Sequence, residues 1–87
     1  MKAQEMFEKL EFELTLNDEV VQYERSIWVI RHQPHLEEVE GYDFIEFYND
    51  VECVQCLSVI NGKSEPLYLT SYEIDAIKHQ IEELGWK

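Results

Sequence analysis

The chain has little glycine, proline, cysteine or basic side-chain content. Its 87 residues include three glycines, two prolines, two cysteines and seven lysines and arginines. Three isolated glycines exclude a glycine-rich phosphate-binding loop. No apolar run approaches the ~20 residues of a membrane-spanning helix, and the chain begins with an amphipathic stretch rather than a signal peptide. Two cysteines in a chain that is not exported indicate reduced thiols, and we expect a cytoplasmic protein.

Acidic residues dominate the charge. Nineteen Asp and Glu against seven Lys and Arg give a formal net charge of −12. Such a surface repels the phosphates of nucleic acids and of anionic membranes, so we expect direct binding to neither. It attracts basic proteins and speeds encounter with them. The alternative interpretation is that the charge serves solubility alone.

The composition is that of one folded domain, residues 1–87. Apolar residues make up 45% and aromatic residues 13% of the chain, which is too rich in both for a disordered protein. No nucleophile elbow, zinc-protease motif or P-loop occurs in it. We therefore expect neither an enzyme nor a protein that needs a cofactor.

Helical patterns occur at both ends. Residues 2–10 carry one apolar stripe, formed by Ala3, Met6, Phe7 and Leu10. A second helix is predicted over 71–84, with Thr70 as its N-cap and Glu73 completing a capping box. Gly85 is placed to end that helix in a left-handed conformation, with Trp86 folding back onto Ile81. Its apolar stripe is predicted to consist of Ile74, Ile77, Ile81 and Leu84.

Extended patterns fill the middle of the chain. Alternation of apolar and polar residues predicts a hairpin of strands 11–16 and 19–25 around Asn17-Asp18, continued by the apolar run 27–30. Residues 32–41 are predicted to form a loop. Strand 42–48 then turns at Asn49-Asp50 into strand 51–60. Asn61-Gly62 favours a tight hairpin turn, and 66–69 is predicted to add an edge strand.

The element order predicts an α+β fold with an N-terminal helix, a four- to five-stranded antiparallel sheet of hairpins and a C-terminal helix. Both helices are expected on one face of the sheet, which leaves the other face partly wet. Alternation places Trp28, Phe44 and Tyr48 on that second face, where they would form a contact patch for a protein partner. In the alternative interpretation a loop or a second protomer of a homodimer covers them.

The acidic residues Glu37, Glu38, Glu40 and Asp43 are concentrated near the middle of the chain, with Glu46 and Glu52 on nearby strands. The plain interpretation is a solvated loop. A sharper one is a surface that imitates nucleic-acid phosphates and captures Arg and Lys of a basic partner by charge-assisted hydrogen bonds.

Four side chains of metal-binding type also occur, His32, His35, Cys53 and Cys56. Their number suits tetrahedral zinc. In a strand, however, residues three apart point to opposite faces, so the two thiols are not expected to chelate one ion. Cys53 is expected to point into the core with Val51, Leu57 and Val59, and we favour buried, unreactive cysteines over a metal site.

Both chain ends resemble a group of small uncharacterised proteins from phages and prophages of low-GC Gram-positive bacteria. The similarity lies in the opening helix 3–10, in Asn17-Asp18 and Tyr23-Glu24, and most specifically in the closing run 80–86, Gln-Ile-Glu-Glu-Leu-Gly-Trp. Residues 27–41 are not covered and look like an insertion. Glu11 stands where the group usually has glycine, so a different end of the first helix is expected. The resemblance implies a phage origin and the cytoplasm of a bacterial host, and it carries no site residue.

These observations lead to three functional hypotheses. The first is a non-catalytic, phage-derived accessory protein that acts by contact with another protein. The second is an acidic nucleic-acid mimic that inhibits a nuclease, a glycosylase or a CRISPR effector. The third is a small metal-binding protein built on the His and Cys residues named above.

Overall fold

The computed structural model describes residues 1–16, 19–30 and 38–86. These residues form two helices and five strands. In chain order the elements are α1 (Ala3–Lys9), β1 (Glu13–Leu16), β2 (Val20–Ile30), β3 (Glu38–Tyr48), β4 (Cys53–Ile60), β5 (Lys63–Pro66) and α2 (Ser71–Glu83). The two turn residues 17–18 and residues 32–37 of the predicted loop lie outside this part of the chain.

The strands form one antiparallel sheet in the order β1-β2-β3-β4-β5. Every strand therefore pairs with its neighbour in sequence, as expected for a series of hairpins. With a helix at each end, this confirms the predicted α+β fold.

Both helices pack on the same face of the sheet. The buried core combines residues of α1, α2, the strands β2 and β3 and the turn that follows α1, namely Phe7, Phe12, Tyr23, Ile45, Phe47 and Ala76. The ring of Phe7 stacks on that of Tyr23 at 3.9 Å between centroids. The backbone N–H of Ala3, at the start of α1, donates a hydrogen bond to Glu83 Oε2 near the end of α2 at 2.6 Å. The carboxylate of one helix thus satisfies a free N–H at the positive end of the other.

The two helices end in the same Schellman motif. At the end of α1, Phe12 N–H donates to Phe7 O and Glu11 N–H to Glu8 O, both at 3.0 Å. At the end of α2, the matching bonds run from Trp86 to Ile81 and from Gly85 to Glu82. The predicted left-handed Gly85 is confirmed, with a φ of +75°. Glu11, which holds the position in α1 that Gly85 holds in α2, adopts the left-handed conformation itself, with a φ of +68°.

Four predicted strand boundaries are wrong. β1 begins at Glu13 rather than at residue 11, because residues 11–12 complete the Schellman motif after α1. Residues 38–41, predicted as loop, pair in register with residues 27–30 and so extend β3. The turn after β3 has four residues rather than two, since Tyr48 pairs with Cys53 and Glu52 takes a positive φ. The edge strand follows Asn61-Gly62 directly at 63–66 instead of 66–69. The turn itself is as predicted, with positive φ at both residues.

The buried face of α2 is rotated relative to the predicted stripe. Glu73, Ala76 and Gln80 are its buried residues, whereas Ile74 is 41% exposed. Thr70 is the N-cap, but its hydroxyl bonds the side chain of Glu73 rather than a backbone N–H. The predicted capping box is therefore replaced by a contact between the two side chains, and the other carboxylate oxygen of Glu73 is turned towards the half-buried Arg25.

Candidate functional site: an open sheet face above a buried ion pair

Burial along β3 alternates strictly from Gly41 to Tyr48, the part of the strand in which side-chain burial is described. Asp43, Ile45 and Phe47 are buried beneath the helices, whereas Phe44 and Tyr48 are half-buried on the opposite side of the sheet. We call that opposite side the open face, because both helices of the described chain lie on the other side. The sequence prediction that Phe44 and Tyr48 lie on the face away from the helices is confirmed.

Aromatic and aliphatic side chains form the centre of the open face. Tyr42 joins Phe44 and Tyr48 on β3, and its ring lies 6.3 Å from that of Phe44 between centroids. Leu57 and Val59 of β4 are the register partners of Phe44 and Tyr42. All five side chains are half-buried, so they shield one another from water while keeping an accessible surface. The sequence prediction missed Tyr42, Leu57 and Val59, although the same alternation that identified Phe44 extends to them.

Tyr48 lies at the end of this row beside an acidic residue. Its hydroxyl donates a 3.4 Å hydrogen bond to Gln55 Oε1 on β4. Desolvation raises the pKa of the Tyr48 phenol above 10.0, and the negative charge of Glu46 raises it further. The phenol is therefore a neutral hydrogen-bonding group over the physiological pH range.

Acidic side chains border the aromatic row. Glu46 sits between Phe44 and Tyr48 on the same face of β3. On the side of β1 and β2, Glu13 and Glu24 are direct register partners. Like charges at such a position destabilise a sheet. Together with Glu11 and Ser26 they line a notch of about 200 Å³.

Asp43 does not belong to the acidic surface in which the sequence analysis placed it. Its side chain is buried, and its carboxylate accepts hydrogen bonds from Arg25 and from Ser58 Oγ, the latter at 2.6 Å. Asp43 faces the helices because it shares its side of β3 with Ile45 and Phe47. A contact role for Asp43 is therefore wrong, and its role is to neutralise the partly buried guanidinium of Arg25.

Arg25 links the sheet to both helices. Its Nη1 donates to the backbone oxygen of Leu10 at 3.0 Å, and its guanidinium lies over the ring of Phe12 at 4.2 Å from the centroid. Its Nη2 is 3.9 Å from Glu73 Oε1. A signal for this network was present in the sequence, because Arg25 and Asp43 continue the inward-facing alternations of Tyr23 and Ile45.

The two cysteines lie on opposite sides of the sheet. Cys53 pairs with Tyr48 and is exposed, whereas Cys56 pairs with Ile45 and packs against the core. The prediction that they do not face each other is confirmed, but the prediction that Cys53 is the inward one is wrong. Alternation misassigned the faces because β4 carries apolar residues on both sides and the polar Ser58 on the inner one. Desolvation raises the pKa of the Cys56 thiol.

Within residues 1–16, 19–30 and 38–86, no group of three or more His, Cys, Asp or Glu residues is placed to hold a metal ion. His32, His35 and Glu37 lie outside the described residues, as do the side chains of Trp28, Glu38 and Glu40. Of the residues predicted to contact a partner, Phe44 and Tyr48 thus lie together on the open face. Asp43 does not belong to that face. Neither described helix has the length and apolar character needed to cross a bilayer.

Comparison of the chain with protein-family models, with curated proteins and with solved structures finds no match.

Proposed function

We propose that this is a non-catalytic accessory protein that binds a basic protein partner through the open face. The observation that carries the proposal is the row of Tyr42, Phe44 and Tyr48 on a sheet face that no described helix covers. Tyrosine and phenylalanine are enriched at the centres of protein interfaces, because they bury a large area at low entropic cost. The resemblance of both chain ends to phage and prophage proteins supports a phage origin and action in the bacterial cytoplasm.

The charge around the row supports a basic partner. Glu46 lies within the row, and the facing pair Glu13 and Glu24 borders it on the β1 side. A Lys or Arg from a partner would relieve the repulsion between these two carboxylates. The net charge of −12 would bring such a partner in quickly at low salt.

The test is capture of binding proteins from a host lysate, with variants that distinguish the faces. Phe44→Thr and Tyr48→Thr remove aromatic area from the open face, and Glu46→Lys reverses its charge. Ile74→Thr and Glu82→Lys make the same kinds of change at exposed positions of α2, on the helical side. We expect a partner that the natural chain and both α2 controls retain and all three open-face variants lose. Equal capture by all variants would place binding elsewhere.

The nucleic-acid mimic remains the second candidate, supported by the close approach of Glu13 and Glu24. A mimic binds through charge alone, so its capture would vanish at high salt and would tolerate Phe44→Thr. A partner held by the aromatic row would weaken with salt but persist, and Phe44→Thr would remove it. The same set of variants in a salt series therefore separates the two proposals.

A further inference from the structure

In the described part of the chain, the second half of one edge of β2 has no neighbouring strand. β1 pairs only with Val21–Glu24, whereas β2 continues to Ile30 alongside β3. Among the described residues, the edge from Ser26 to Ile30 therefore presents unpaired backbone N–H and C=O groups. β4 likewise leaves β3 at Gly41, so the ends of β2 and β3 project as a two-stranded arm. A two-stranded arm is only marginally stable in water by itself.

The edge strand β5 and the free part of the β2 edge differ in how they are protected against pairing with another chain. β5 has four residues, all exposed, and includes Lys63 and Pro66. Short length, lysine and proline are the usual means by which proteins prevent an edge strand from pairing with another chain. The free edge of β2 has none of them, because residues 27–30 read Ile-Trp-Val-Ile. An unprotected, uncharged edge is typical of a strand that has a partner.

We propose that Ser26–Ile30 pairs antiparallel with the same segment of a second copy of this chain. Charge favours this occupant over a basic strand, since the segment contains no acid with which a lysine or arginine would pair. It is also an uncharged stretch through which two chains of charge −12 can approach. Antiparallel pairing of one segment with itself has two-fold symmetry and closes after two copies.

The distance between the acidic residues that flank the segment on its N-terminal side is compatible with this arrangement. With Trp28 on the two-fold axis, the two Glu24 positions are separated by eight residue steps, or about 27 Å at ~3.4 Å per residue. Repulsion over that distance is screened at physiological salt, where the Debye length is ~8 Å. Five paired residues on each strand form a small interface, so the dimer dissociates on dilution.

The symmetry has a consequence for the open face. The two-fold axis of an antiparallel strand pair lies perpendicular to the sheet, so both open faces are on the same side of the dimer and all four helices on the other. The dimer therefore offers two copies of the aromatic row to one partner surface, which strengthens binding to a partner with repeated sites. The pairing itself does not depend on the proposed function.

The test is sedimentation equilibrium of the natural chain over a wide range of concentration, together with two charged double variants. Ile27→Lys with Val29→Lys, and Ile27→Glu with Val29→Glu, place like charges opposite each other across the axis. We expect the natural chain to dimerise with increasing concentration, each double variant to stay monomeric and an equimolar mixture of the two to associate. Ser64→Lys on the β5 edge is the matched control and should dimerise as the natural chain does.

Two results would overturn the proposal. One is a natural chain that stays monomeric at all concentrations, and the other is a dimer that persists in the Ile27→Lys, Val29→Lys variant. Circular dichroism establishes that each variant is folded. If one is not, hydrogen exchange of the natural chain decides, because the amides of residues 26–30 that point away from β3 must gain protection as the protein concentration rises. Unchanged exchange there would reject the pairing.

Discussion

The guanidinium of Arg25 donates two hydrogen bonds to a single carboxylate oxygen of Asp43, from Nε at 3.2 Å and from Nη2 at 2.6 Å. The side chain of Asp43 is 5% exposed and that of Arg25 is 22% exposed. Removing one member of such a pair leaves an uncompensated charge beneath the helices. We expect Asp43→Ala to lower the free energy of unfolding by about 3 kcal/mol, measured by urea denaturation.

A control substitution and a double-mutant cycle show whether this loss of stability comes from the pair of Arg25 and Asp43. Glu65→Ala removes an exposed acid from β5 and should change stability by less than about 0.5 kcal/mol. Arg25→Met combined with Asp43→Leu removes both charges and should cost clearly less than the sum of the single Arg25→Met and Asp43→Leu changes. If Asp43→Ala costs no more than Glu65→Ala, the pair contributes nothing to the fold.

The two Schellman motifs predict that substitutions at their left-handed residues change stability in opposite directions. Glu11 holds a left-handed conformation that glycine adopts without steric cost, so Glu11→Gly should stabilise the protein by about 1 kcal/mol. At Gly85, no atom lies within 4 Å of an added Cβ, so Gly85→Ala should destabilise it by about 1 kcal/mol through the backbone alone. Thermal and urea unfolding measure both.

Glu8→Gly is the control for this pair of changes, since it introduces glycine into the helical part of α1 and should destabilise by about 1 kcal/mol. Stabilisation by Glu11→Gly but not by Glu8→Gly would locate the effect in the left-handed residue. Loss of stability in Glu11→Gly would show that the Glu11 side chain makes a contribution greater than the backbone strain.

Local sequence patterns predict where the helices, strands and turns of this fold lie better than they predict which side of each element is buried. The period of α1, the motif at Gly85 and the turn at Asn61-Gly62 each depend on a few neighbouring residues, and the structure confirms them. The buried faces of β4 and α2 include Ser58 and Glu73, polar residues that belong with Asp43 to the buried network around Arg25, Ser58 through its hydrogen bond to Asp43. Each is polar and is therefore expected at the surface when only the sequence is considered. Alternation along β4 consequently predicted an inward Cys53, and the helical period of α2 predicted a buried Ile74.

The residues of the open face were likewise predictable only where they follow from a local pattern. Phe44 and Tyr48 follow from alternation against the apolar Ile45 and Phe47, and that alternation is strict from Gly41 to Tyr48. The notch at Glu13 and Glu24 was not predictable, because it depends on the register between β1 and β2. The apolar and polar pattern of the two strands does not by itself specify that Glu13 pairs with Glu24.

The two thiols should react at different rates in the folded protein. Cys53 is exposed on the open face, whereas Cys56 packs against the core and has a raised thiol pKa because of its burial. A smaller thiolate fraction and poorer access both slow its reaction. We expect a fast and a slow phase of alkylation near pH 8, resolved by mass spectrometry of the labelled peptides.

The control variant Cys53→Ser should retain only the slow phase, and denaturant should make the rates of the two cysteines equal. Because the side chains lie on opposite faces, mild oxidation should yield no intramolecular disulfide. Equal labelling rates in the native protein, or a Cys53–Cys56 bridge formed without unfolding, would contradict the register of β3 with β4.

The buried phenol of Tyr23 leads us to expect a loss of folding stability at alkaline pH. Its hydroxyl donates a 2.5 Å hydrogen bond to Gln80 Oε1, and burial, with smaller contributions from Glu83 and Glu8, raises its pKa from 10.0 to about 12. Because the folded state holds this proton more tightly than the unfolded chain, the stabilisation is complete below pH 10. It is lost as the pH rises from 10 towards 12.

We therefore expect the free energy of unfolding to fall more steeply between pH 10 and 12 in the natural chain than in Tyr23→Phe, which has no proton to lose there. At neutral pH, Tyr23→Phe should cost about 1–2 kcal/mol, since Gln80 is left buried without its donor. Tyr68, 89% exposed, is the matched position, and Tyr68→Phe should reproduce the pH profile of the natural chain. If Tyr23→Phe also reproduces it, the alkaline transition arises elsewhere and the buried phenol does not couple folding to pH.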